Sequence, residues 1–104
     1  MNYQNIGIAY FTNPAIENEP FGKEVDGIMT SVARQLPVRK INTYSEVSIV
    51  EEMKPTNLPS IIFTDNSGKT QHLKIEGQQL SGITLAKVLE TVGAIDKYNK
   101  TNGL

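Results

Sequence analysis

No cysteine occurs anywhere in the chain, which excludes disulfides, a thiolate nucleophile and every metal site built on thiolate ligands. Tryptophan is also missing, and His72 is the single histidine. A histidine-based catalytic dyad therefore has one candidate, and it needs a serine or aspartate brought to it by the fold. No run of like charges stands out, and the ten basic and eleven acidic residues leave a net charge of −1. That balance leaves no electrostatic footprint for nucleic acid or for an anionic membrane surface. The opening Met1-Asn2-Tyr3-Gln4 lacks the basic and apolar regions of a secretory leader, and no apolar run approaches the length of a bilayer span. The expectation is a soluble, cytoplasmic protein with no direct nucleic-acid or membrane partner.

What is present is enough for one modest core. At 104 residues, two domains would each be too small to stabilise themselves. Asn5-Ile6-Gly7-Ile8-Ala9-Tyr10-Phe11 is a short apolar run closed by Thr-Asn-Pro, which suits a buried strand. Phe21, Val25, Ile28, Met29, Val32 and Leu36 then recur at helical spacing. Pro20 fits the first turn, where its missing N–H would have no partner in any case, and Pro37 stops the helix. Val38–Asn42 alternates as a second strand, and Thr43 with Glu46 has the spacing of a capping box that opens a short helix through Met53. Ser60–Thr64 reads as a third strand, and Asn66-Ser67-Gly68 turns the chain into a fourth over Lys69–Ile75. Ser81 is the expected cap of a last helix with an apolar stripe of Leu85, Val88, Leu89 and Val92, which Gly93 ends. Residues 1–96 are thus one domain, and 97–104 are expected to form a polar, frayed tail.

The resulting order is β-α-β-α-β-β-α, an α/β fold with helices on both faces of a four-stranded mixed sheet. With this order, with "NLPSIIFTDNSGKT" and with "SGITLAKVLETVG" as the closing helix, the chain resembles the thioredoxin-like family. The resemblance implies a cis Leu58–Pro59 bond before the third strand, with the backbone of Leu58 presented outward. It also shows where this chain departs from the family. Thioredoxins open the first helix with C-x-x-C, where the helix N-terminus lowers the thiol pKa. Asn18-Glu19-Pro20-Phe21 occupies that junction here and keeps only the proline. The loop before the junction is about two residues longer than in a typical thioredoxin.

Other chemistry has little to build on. Glutathione-transferase-like relatives use Ser or Tyr to activate a thiol, a role for which Tyr10 or Thr12 would stand, but they also need a helical second domain. His72 alternates with Leu73 and shares a strand face with Thr70 and Lys74, so it reads as a solvated surface residue. Glu17 and Glu19 with Asn13 or Asn18 have oxygen ligands for a hard cation, without the spacing, glycine or closing glutamate of a calcium loop. No phosphate-cradling glycine loop is visible, so no catalytic residue, metal or cofactor is assigned.

The remaining expectation is a non-catalytic protein-binding module, an adaptor or an inhibitor of a larger partner. By analogy of size, such a module suits a phage or another mobile element. In the family the loop after the first strand, the first helical turn and the proline-bearing turn converge on one edge, where an extended peptide can pair with main-chain groups. The residues expected to line that edge are Ile16, Asn18, Glu19, Pro20, Phe21, Thr56, Leu58 and Pro59. Phe21 also has a plain role as the first core residue of its helix. The alternatives are a self-associating structural subunit and an enzyme with glutathione-type chemistry at the same edge.

Overall fold

A computed structural model describes residues 5–101. Four strands, β1 (Ile6–Thr12), β2 (Val38–Asn42), β3 (Ser60–Asp65) and β4 (Gln71–Glu76), form one sheet in the order β2-β1-β3-β4. β1 and β2 are parallel, while β3 runs antiparallel to both β1 and β4. The helices are α1 (Pro14–Glu17), α2 (Pro20–Ala33), α3 (Val47–Met53) and α4 (Leu85–Thr101), with a 3-10 turn over Gly77–Leu80. The fold is the expected α/β arrangement around a four-stranded mixed sheet.

Period-2 alternation divides the core between the two sheet faces. Ile6, Ile8 and Tyr10 of β1 and Ile61 and Phe63 of β3 pack with Val25, Met29 and Val32 of α2 and Val88 and Val92 of α4. Ala9, Phe11 and Ile62 point the other way and meet Ile41 and Met53 beneath α3. Val25, Met29 and Val32 of the stripe read from the sequence are the buried face of α2, with Phe21 and Ile28 half-buried at its margin; Leu36 is also buried but follows the end of α2 at Ala33, in the turn before Pro37.

Four local expectations change. The polar loop after β1 folds as α1, because Asn13 Oδ1 accepts from the Ile16 N–H at 3.0 Å and Pro14 takes the first helical position. Thr43 does not open α3. Its hydroxyl instead accepts from Asn13 Nδ2 at 2.9 Å, while Glu46 Oε2 accepts from the Asn42 N–H, and α3 begins at Val47. Ser81 does not cap the last helix. That role falls to Thr84, whose hydroxyl accepts from the Lys87 N–H at 3.1 Å.

Nor does Gly93 end α4. Val88, Val92, Ile95 and Asn99 extend one inward stripe at helical spacing, and continued burial outweighs the helix cost of a single glycine, about 1 kcal/mol. Residues 97–101 accordingly complete α4. The remainder of the expected tail, 102–104, and the leader reading of Met1–Gln4 lie outside the described residues. Among the described residues no helix is long and apolar enough to cross a membrane.

Candidate functional site

The loop after β1 and the turn before β3 meet at one end of the sheet. Phe11 and Glu76 both pair with Ser60, so the next position along the ladders sets Pro59 beside Thr12. The Pro59 carbonyl accepts from the Gly77 N–H at 2.8 Å, which ties this turn to the start of the 3-10 turn. The Leu58–Pro59 bond is cis. Neither the N–H nor the C=O of Leu58 has a hydrogen-bond partner among the described residues.

Glu76 holds this turn in place. Its carboxylate accepts from the Thr56 N–H at 2.6 Å, the Thr56 hydroxyl at 2.9 Å and the Ser60 hydroxyl at 3.1 Å. Partial burial works against the charged form. The donors from Thr56, Ser60 and Asn57 outweigh it and hold the carboxyl below the usual glutamate range. Glu76 and Gln79 also cap the 3-10 turn reciprocally, with the Glu76 N–H donating to Gln79 Oε1 at 2.9 Å.

On the other side of the junction, α1 folds back onto the start of α2. The Ile16 carbonyl accepts from the Glu19 N–H at 3.1 Å, and the Lys23 N–H donates to the Glu19 carbonyl at 2.9 Å. Pro20 begins α2 as the sequence indicates, and Glu19 occupies the N-cap position without a side-chain cap bond. Behind the junction, Lys40 Nζ lies 2.6 Å from Glu17 and 3.0 Å from Asp26, and the Tyr10 hydroxyl donates to Asp26 at 3.0 Å. The hydrogen bond to Glu17, joined by that to Asp26, holds the Lys40 ammonium above its ordinary range against the cost of desolvation. Burial opposes ionisation of Asp26, but donors from Lys40 and Tyr10 prevail and keep its carboxyl low. Burial first, and then Asp26, push the Tyr10 phenol well above its usual value. Glu17 is therefore committed to a cation within the chain.

Of the residues expected at the edge, Asn18, Glu19, Pro20 and Thr56 are exposed, Ile16, Phe21 and Leu58 are half-buried, and Pro59 is buried. The fold brings the two segments to the same end of the sheet but separates two of their side chains. Phe21 packs into the α2/α4 layer, and Leu58 packs beneath the sheet with Ile49 and Val50 of α3. Their side chains consequently do not form one apolar patch. Two organising residues, Asn13 and Glu76, go beyond the sequence reading. Asn-Pro at a strand end is a legible start of a helix, whereas nothing local marks Glu76, whose partners lie 16 to 20 residues away.

His72 departs from its expected face. Thr64 pairs with Gln71 and Phe63 with Leu73, so His72 is the extra residue of a β-bulge. Gln71 and Lys74 donate to the carbonyls of Met53 and Lys54 beside α3, but His72 joins Leu73 on the α4 side and is half-buried.

No family model matches the chain, and no curated protein matches it in sequence. Solved structures do. A thioredoxin-2 described as a component of the malaria parasite protein secretion machinery superposes with a TM-score of 0.67 at 12% identity, over 86% of this chain and 82% of that one. A mutant thioredoxin from Halobacterium salinarum NRC-1 gives 0.68 at 11% identity, over 88% and 74%. Chloroplastic thioredoxin z gives 0.64 at 20% identity, over 90% and 80%. The chain therefore has the thioredoxin-like fold. It carries that fold without a cysteine, and Asn18-Glu19-Pro20-Phe21 stands at the start of its α2.

Proposed function

We propose that this chain is a non-catalytic protein-binding module, an adaptor or inhibitor subunit that receives an extended segment of a partner along the Leu58 edge. The observation that carries this reading is the unpaired backbone of Leu58, held beside the ends of β1 and β3 by a turn that Glu76 fixes. An extended chain would take affinity from those main-chain groups and specificity from neighbouring side chains such as exposed Thr56 and Asn18. A preorganised edge loses little entropy when the partner docks. A cytoplasmic setting and a mobile-element origin belong to the same proposal and rest on composition and size.

The two hydroxyls that would have to replace a thiol support the non-catalytic reading. Thr12 and Tyr10 are each 1% exposed, and the Tyr10 hydroxyl is engaged by Asp26. Insulin reduction and glutathione conjugation are both expected to be blank, and turnover in either assay overturns this part of the proposal. Affinity purification of the tagged protein from its native host is expected to recover one stoichiometric partner.

A second reading, self-association, is favoured by a different feature. β2 is an edge strand, and just beyond it Tyr44 and Val47 are 64% and 53% exposed. Light scattering that shows a stable homo-oligomer, with no partner recovered, selects that reading.

A further inference from the structure

A cleft of about 490 Å³ lies between β4 and α4, within the ~300–1,000 Å³ typical of small-molecule sites. Leu73, Ala94, Ile95 and Tyr98 give it a largely apolar wall, and Leu73 and Tyr98 are 41% and 64% exposed. Two of its polar lining residues stand apart. Asn99 is only 7% exposed, and its Oδ1 is buried without a hydrogen-bond partner among the described residues; His72 Nε2 is likewise buried and unpartnered among them. Both residues also border an adjoining recess beside Asp65, Asn66 and Thr70. Buried polar side-chain atoms nearly always have a partner. Two residues lining one open cleft thus carry orphan atoms, which marks a place where something else supplies the bonds.

The bulge at His72 explains how the strand reaches this arrangement, since regular alternation would send that side chain to the opposite face. On α4, the stripe of Val88, Val92, Ile95 and Asn99 ends in an amide where an apolar residue would complete the packing. The rim carries one charge of each sign, Lys87 and Glu90, 3.9 Å apart. It therefore has no net pull on an ionic ligand.

We propose that this cleft binds an uncharged small molecule with an apolar body against Leu73, Ala94, Ile95 and Tyr98 and a hydroxyl or amide head that hydrogen-bonds Asn99 Oδ1 and His72 Nε2. Asn99 Oδ1 requires a donor. A neutral imidazole nitrogen takes either a donor or an acceptor according to tautomer, so a group offering both satisfies the pair. The site lies by the β3–β4 hairpin, at the opposite end of the sheet from the Leu58 edge, and does not depend on the binding function proposed there.

Titration of 15N-labelled protein with benzamide and with N,N-dimethylbenzamide, followed by NMR, tests the proposal. The two probes share the apolar body, and only benzamide carries amide N–H donors. Benzamide is expected to give saturable shifts confined to His72, Leu73, Ala94, Ile95 and Asn99, with the dimethyl probe at least about tenfold weaker. Asn99→Leu, which completes the apolar stripe, is expected to abolish that discrimination while retaining the fold. No saturable shift up to the solubility limit of benzamide, shifts centred elsewhere, or equal affinity for the two probes overturns the proposal. So does a folded Asn99→Leu protein that still discriminates between them. If that variant fails to fold, the comparison of the two probes on the unaltered protein decides alone.

Discussion

Gly22 of α2 lies directly against the Ile16 carbonyl of α1: a Cβ built at position 22 would stand 1.8 Å from that oxygen. The obstruction is backbone and not a flexible side-chain tip, so it can be relieved only by separating the two helices. Gly22→Ala is expected to destabilise the protein by about 3 kcal/mol or more, as severe overpacking does. Gly27 makes the complementary case, since a Cβ there meets nothing within 4 Å among the described residues. Gly27→Ala, in the same helix, should stabilise by up to about 1 kcal/mol. Denaturant midpoints of the two variants check both signs.

Asn13 joins three elements at the end of β1. It caps α1 through Ile16, bonds Thr43 after β2, and is itself buried. Asn13→Ala is expected to cost about 1–2 kcal/mol, the range for loss of a strong cap. Asn13→Asp, which keeps the acceptor for Ile16 and can accept from the Thr43 hydroxyl, should cost less. Thermal unfolding of the pair measures the difference.

Glu76 predicts an acid-sensitive turn. Its folded carboxyl titrates below the ordinary value of 4.5 because Thr56 and Ser60 donate to its charged form. A depressed acid contributes stability that is complete above the unfolded pKa and disappears as pH falls through the lower folded value. Asp26, held low by Lys40 and Tyr10, acts in the same direction from its ordinary 3.8. Urea unfolding should therefore show stability falling below about pH 4.5, with a shallower decline in Glu76→Gln. Near neutral pH that substitution should cost roughly 1–3 kcal/mol through weakened hydrogen bonds to the turn. An unchanged acid limb in the variant contradicts the assigned role.

The central fold was legible because its elements carry strong local patterns: the apolar run of β1, the stripe from Phe21 to Leu36, and Pro20 at a helix start. Thr43, Ser81 and Gly93 misled for a physical reason. Capping residues and glycine act by local propensity, worth about 1 kcal/mol each, and tertiary burial along α4 or a long-range bond such as Asn13–Thr43 overrides that preference. His72 was misplaced because one extra residue in a strand reverses the face on which the next side chains lie. At the candidate edge, the sequence located both segments. It did not show that Phe21 and Leu58 belong to opposite sides of the sheet, which depends on the three-dimensional route of each side chain into its own core layer.

The most direct test of the binding proposal is quantitative affinity purification from the native host with the unaltered protein, Leu58→Arg and Val47→Arg, each first shown to be folded. Leu58→Arg obstructs the unpaired backbone edge, and Val47→Arg alters the exposed surface beyond β2. One stoichiometric partner is expected with the unaltered protein and with Val47→Arg, and at least about tenfold less with Leu58→Arg, the loss that about 1.4 kcal/mol of binding free energy produces. Full recovery with Leu58→Arg, or loss confined to Val47→Arg, would contradict the account.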